Sequence, residues 1–155
     1  MFDDIPVQIC QFHQVKTVTK YLTRKPKTDA GRALRDIALC LTKSNESEFT
    51  GLLADWHLRW ESFLAERTSC SCCTPKRWEY THRKMRAAYR SLIANLSFLF
   101  TYQRYPELKL PNTTNCLDGM FSQLKNRLNV HRGAKQVFRY KLIKEILKGK
   151  NEKEL

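Results

Sequence analysis

No stretch of this sequence stays apolar for long enough to span a bilayer. The longest run, SLIANLSFLF at residues 91–100, is half of the roughly 20 residues that a membrane helix needs, so a membrane partner is not expected. A secretion leader is not expected either, because the N-terminal MFDDIPVQIC is acidic where a leader would be basic. Without one, the six cysteines read as reduced thiols of a cytoplasmic protein and not as a disulfide framework. Internal repeats are also absent.

Negative charge is scarce in the second half. Residues 76–155 carry 18 Lys or Arg against 6 Asp or Glu, whereas residues 1–75 carry 10 against 9. The excess sits among aromatic, Thr and Asn residues and not in a low-complexity tail, which favours nucleic acid over a merely solvated basic surface. At 155 residues, 42% apolar and with 17 aromatic side chains, the chain has enough material for a core of one ordinary domain.

Strand signals are equally rare. IPVQIC (5–10) is the one run rich in β-branched residues, and it leads directly into a helical stretch with Phe12, Val15, Tyr21 and Leu22 at nearly helical spacing. Pro26 breaks that helix. Thr28 or Asp29 caps the next, over 30–43, where Ala33, Leu34, Ile37, Ala38 and Leu41 recur at three and four. A third helix, 46–67, places Phe49, Leu52, Leu53, Trp56, Trp60, Phe63 and Leu64 on one face, which reads as core. TSCSCCTP (68–75) separates the neutral half from the basic half, and helices over 78–102, 114–130 and 135–148 complete a mainly α pattern. One strand cannot make a sheet, so either residues 5–10 pair with something outside this chain or they are not a strand.

Three constellations could carry chemistry. Cys10 and His13 have a zinc-like Cys-x2-His spacing, but the next Cys or His is Cys40, so a packed thiol and an oriented imidazole are the simpler reading. Cys70, Cys72, Cys73 and His82 form a three-thiolate, one-imidazole set of the kind that closes a structural zinc site. The adjacent Cys72 and Cys73 strain that geometry and the spacing matches no regular zinc module, so reduced loop cysteines are preferred. In LPNTTNCLDGMFSQLKNRLNVHRG (110–133), Thr113 or Thr114 suits a helix cap, and Asp118 suits the first turn, where a negative charge complements the helix dipole.

Taken in order, CQFHQVKTVTKYL (10–22), a long helical segment, RWEYTHRKMRAAYRSL (77–92), LFTYQRYPELKLPNTTNCLDGMFSQLKNRL (99–128) and HRG (131–133) resemble the C-terminal half of Mutator-like bacterial insertion-sequence transposases of the DDE class. The resemblance covers nearly the whole chain. It implies a C-terminal fragment of an RNase H-like α/β core with a helical insertion: a strand-helix piece at 1–27 with the Cys10, His13 motif, the insertion at 28–102, and core helices with a basic tail at 103–155. It implies that Thr113, Thr114 and Asn115 lead to the third acidic catalytic position, here Asp118 where the family usually has Glu, and that Asp118 is a ligand of Mg2+ or Mn2+. Hard divalent ions held by carboxylates suit phosphodiester chemistry.

The family's first two aspartates lie on strands before the Cys-x2-His motif, and Asp3 and Asp4 stand too close to Cys10 to match the second. The resemblance therefore implies an inert, truncated transposase that does not hold the metal ions by itself. The alternative is a small basic helical DNA-binding or regulatory protein that occupies transposon ends or pairs with a full-length transposase. In either case DNA, as transposon ends or target, is the expected partner. Arg83, Lys84, Arg86, Arg90, Lys125, Arg127, Arg132 and Lys135 are the expected phosphate contacts. Self-association is a further expectation, because Val15, Leu117, Phe121 and Leu124 would lack the sheet they cover.

Overall fold

The computed structural model describes residues 5–69 and 78–151. They form two compact units, Met1–Thr113 and Thr114–Leu155, both mainly helical.

The first unit is built on four helices, α1 (Gln11–Leu22), α2 (Asp29–Cys40), α3 (Glu46–Ala65) and α4 (Arg83–Leu99). The starts of α2 and α3 have local causes. Thr28 caps α2, its hydroxyl accepting from the Gly31 amide at 3.2 Å, with Asp29 complementing the dipole in the first turn. α3 opens with a reciprocal capping box: Asn45 Oδ1 accepts from the Glu48 amide at 2.8 Å, and the Glu48 carboxylate accepts from the Asn45 amide at 3.2 Å. The apolar stripes then meet in one core, where Val18 and Leu22 of α1 join Leu34 and Ala38 of α2, Phe49, Leu53 and Trp56 of α3, and Ala88, Leu92 and Leu99 of α4. Trp56 buries its ring there and donates from Nε1 to the Ala30 carbonyl at 3.0 Å, so the indole dipole is not left unpaired. Its ring lies 5.3 Å from that of Tyr89, whose hydroxyl pKa is raised by burial. Trp60 and Phe63 pack against the same core, as the stripe predicts, whereas Leu52 of that stripe is 41% exposed, facing away from it.

Residues 6–10 form no strand. They run extended along the end of α4, where the Ile9 amide donates to the Phe98 carbonyl at 2.9 Å and Thr101 Oγ1 donates to the Val7 carbonyl at 2.7 Å. Their backbone thus finds partners within the chain, without the sheet expected from the β-branched run. Val15, expected to lack cover, packs against the first unit's core.

The two-stranded sheet among the described residues lies elsewhere. β1 (Arg67–Ser69) and β2 (Trp78–Tyr80) pair antiparallel, with Arg67 opposite Tyr80 and Ser69 opposite Trp78. The Arg67 guanidinium sits 3.8 Å from the Trp78 ring centre, a cation–π contact that favours the hairpin over a continued α3. α4 accordingly starts at Arg83 and not at 78. It stops at Leu99, and a single turn, α5 (Thr101–Arg104), follows Phe100. Arg104 pairs with Glu46 at the start of α3, and the bond to that carboxylate raises the guanidinium pKa.

The second unit is a helical hairpin, α6 (Asn115–Val130) and α7 (Gln136–Asn151), turned through His131–Lys135. Met120, Leu124, Ile146 and Leu147 line the seam between the two helices. No residue of α6 is buried, and Leu117 and Phe121 are about half exposed, at 49% and 45%.

Two glycines of the first unit differ in what surrounds them. A Cβ on Gly31 would lie 3.0 Å from both Pro26 Cβ and Thr28 Oγ1, whereas one on Gly51 would meet nothing within 4 Å. In urea unfolding, Gly31→Ala is expected to lose about 1–3 kcal/mol by overpacking, and Gly51→Ala to gain about 0.5–1 kcal/mol from helix propensity. Equal effects at the two sites would contradict this packing.

Candidate nucleic-acid interface

The Cys-x2-His motif divides at the start of α1. Cys10 is the buried N-cap residue, its carbonyl accepting from the Gln14 amide at 3.1 Å. His13 is exposed, its ring edge-on to Phe12 at 6.0 Å. Neighbouring glutamines make the long-range bonds. Gln8 and Gln11 each donate from Nε2 to the Leu99 carbonyl at 3.0 Å. Gln14 Nε2 donates to Ser91 Oγ at 3.0 Å, and Gln14 Oε1 accepts from Asn95 at 2.9 Å. Gln8, Gln11 and Gln14 recur every third residue along IPVQICQFHQ, a spacing that marks them in the sequence beside Cys10 and His13.

The cations of α4 do not form one free row. Arg86 belongs to the fold: its guanidinium lies 3.7 Å from the Tyr80 ring centre and donates to the Leu64 carbonyl at 2.9 Å. Arg83 is exposed and paired with Glu79 at 2.7 Å. Lys84 and Arg90 are exposed. Of the four, these two are open to an external phosphate without exchanging an internal contact.

Cys70, Cys72 and Cys73 lie outside the described residues. His82, the fourth member of that set, stacks on Phe63 at 3.7 Å and hydrogen-bonds through Nε2 to Glu66 at 3.0 Å. Among the described residues, no group of three His, Cys, Asp or Glu side chains is arranged to hold a metal ion.

Thr113 ends the first unit, and Thr114 opens the second as N-cap of α6. Thr114 makes no side-chain bond to a backbone amide there. Its hydroxyl donates instead to Asp118 Oδ2 at 3.1 Å, while the Asp118 amide donates to the Thr114 carbonyl at 2.8 Å. Asn115 is the first residue of the helix, and Asp118 occupies its first turn, exposed, where the carboxylate meets the positive end of the dipole. Cys10 and His13 belong to the other unit. One exposed carboxylate with a hydroxyl donor does not supply the ligand set of a two-ion centre, so the described residues by themselves do not fit paired Mg2+ or Mn2+.

What α6 and its successor do present is cationic. Lys125, Arg127, Arg132 and Lys135 are exposed, and so are Arg139, Lys141, Lys144 and Lys148 of α7, which had not been singled out in the sequence. Lys148 approaches Glu145 at 3.9 Å, and with both groups more than two-thirds exposed the pair holds neither strongly.

The different employment of equal charges on α4 can be measured. Arg86→Gln is expected to cost about 1–3 kcal/mol in thermal unfolding, since it removes a charged hydrogen bond and a ring contact. Lys84→Gln should stay within about 0.5 kcal/mol of the parent, and a reversed order would contradict the assignment. No family model, no curated protein and no solved structure matches the chain.

Proposed function

We propose that the chain is a DNA-binding protein of the transposition machinery that its sequence resembles, holding the phosphate backbone through the hairpin of its second unit. One observation carries this reading. Over residues 114–148, eight Lys or Arg side chains are exposed, against the two carboxylates of Asp118 and Glu145. A surface of one sign on a small two-helix unit repels itself and favours a polyanion, whose phosphates replace condensed counterions with Lys and Arg.

Contacts of this kind position a protein on the duplex and carry no sequence choice of their own. Asp118 keeps the place that the resemblance gives to the third catalytic acid. No phosphoryl-transfer step is assigned to it, because a single carboxylate does not hold the two ions such a step uses.

A second reading has its own support. Phe121, Phe138 and Tyr140 are 45–58% exposed on the same two helices, and exposed aromatic surface suits a protein partner, a full-length transposase or a second copy of this chain, as well as DNA. That reading makes the protein a regulator that covers transposon ends.

Titration of a short duplex of arbitrary sequence by fluorescence anisotropy at several salt concentrations tests the proposal. Affinity should fall steeply with salt, and Lys125→Gln or Arg132→Gln should each reduce the slope of log K against log salt by about one. Salt-independent binding, or no binding at low ionic strength, would overturn it.

A further inference from the structure

The first unit carries a second cationic surface that the α4 series did not include. α1 ends at Thr23, and the next residues, Arg24, Lys25 and Lys27, are exposed on the turn that leads into α2. Two open clefts flank this turn. One, of about 310 Å3, is lined by Arg24, Lys25, Arg32 and Arg35 with Asp36. The other, of about 730 Å3, is lined by Lys27, Arg83 and Lys84 together with Tyr21, Pro26 and Thr28, and among the described residues no carboxylate lines it. Pro26 stands between them and borders both.

The turn is also strained where it begins. Thr23 has φ 69° and ψ 170°, a region that a β-branched side chain occupies only at a cost and that is otherwise nearly confined to glycine. The nearby acids only partly balance the cations: Asp29 pairs with Arg32, Asp36 lies 3.9 Å from Arg35, and Glu79 holds Arg83. Among the described residues, no carboxylate pairs with Arg24, Lys25, Lys27 or Lys84, and all four are exposed. At the same place, α4 begins without a side-chain cap and without an acid in its first turn. Cations concentrated beside the positive end of a helix lower the stability of the free protein, and an external anion removes that penalty.

We infer that the turn Thr23–Thr28, with its flanking clefts and the start of α4, is a docking surface for the phosphodiester backbone of a nucleic acid. This rests on the DNA-binding reading and adds a second set of contacts, independent of the hairpin. The clefts provide recesses on both sides of Pro26, and cations in each would take successive phosphates of one strand. Tyr21, 37% exposed, borders the larger recess and supplies an apolar wall beside the sugar edge.

The test uses the full chain, with Arg24, Lys25 and Lys27 all changed to Gln, beside a second variant carrying Lys125→Gln and Arg132→Gln. All three turn side chains are exposed, so the triple variant should keep the parent's helicity and melt no lower than the parent. Its binding to a short duplex should weaken, and its salt slope should fall by about three. An unchanged slope in the triple variant, with a reduced slope in the hairpin variant, would overturn the turn surface while leaving the hairpin reading in place. Failure of the parent to bind duplex at low ionic strength would overturn both. If polyglutamate were bound as tightly as duplex and lost equally in the triple variant, the surface would be one for acidic polypeptide, and the inference would be wrong.

Discussion

The first unit hangs on the C-terminal end of α4. A helix leaves its last carbonyls without intrahelical donors, and here they are taken up by residues from the other end of the chain. The Phe98 carbonyl accepts from the Ile9 amide, and the Leu99 carbonyl accepts from Gln8 and Gln11. Gln8 also accepts from the Tyr102 amide at 2.9 Å, which joins the same strap to α5. This clamp sets where α1 starts, and α1 then presents Val18 and Leu22 to the core. Gln11 is fully buried at its centre, and its Nε2 makes the bond to the Leu99 carbonyl.

Periodicity made α2 and α3 legible because their stripes alternate at three and four and their caps are local. Thr28 and the Asn45–Glu48 box lie within three residues of the amides they serve. The strap was not legible for the opposite reason. The residues of IPVQIC have strand-like side chains, and the bonds that fix them reach some 90 positions along the chain, to Phe98, Leu99 and Thr101. The β1–β2 hairpin was hidden too. Strands of three residues give no alternation to count, and the contact of Arg67 with Trp78 joins residues that no local pattern links.

Charge composition located the cations but not their duties. Arg83, Lys84, Arg86 and Arg90 look equivalent in the sequence, yet Arg86 holds Tyr80 and the Leu64 carbonyl, while Lys84 and Arg90 remain exposed. The same limit applies at Asp118. Its place in the first turn of α6 follows from spacing, whereas the hydroxyl of Thr114, expected as a cap, turns to the Asp118 carboxylate. The two units also differ in kind. The first closes a core, and the second exposes both its cations and much of its apolar surface.

Hydrogen exchange in the presence and absence of duplex DNA addresses that difference most directly. Core amides of α1–α4 should be well protected in the free protein and change little, apart from those of the turn Thr23–Thr28 and the first turn of α4. Those of α6 and α7 should exchange fast when free, gain protection when duplex is added at low salt, and lose it again as salt is raised. Strong protection of α6 and α7 without DNA, or no gain with it, would contradict a hairpin completed by a polyanion.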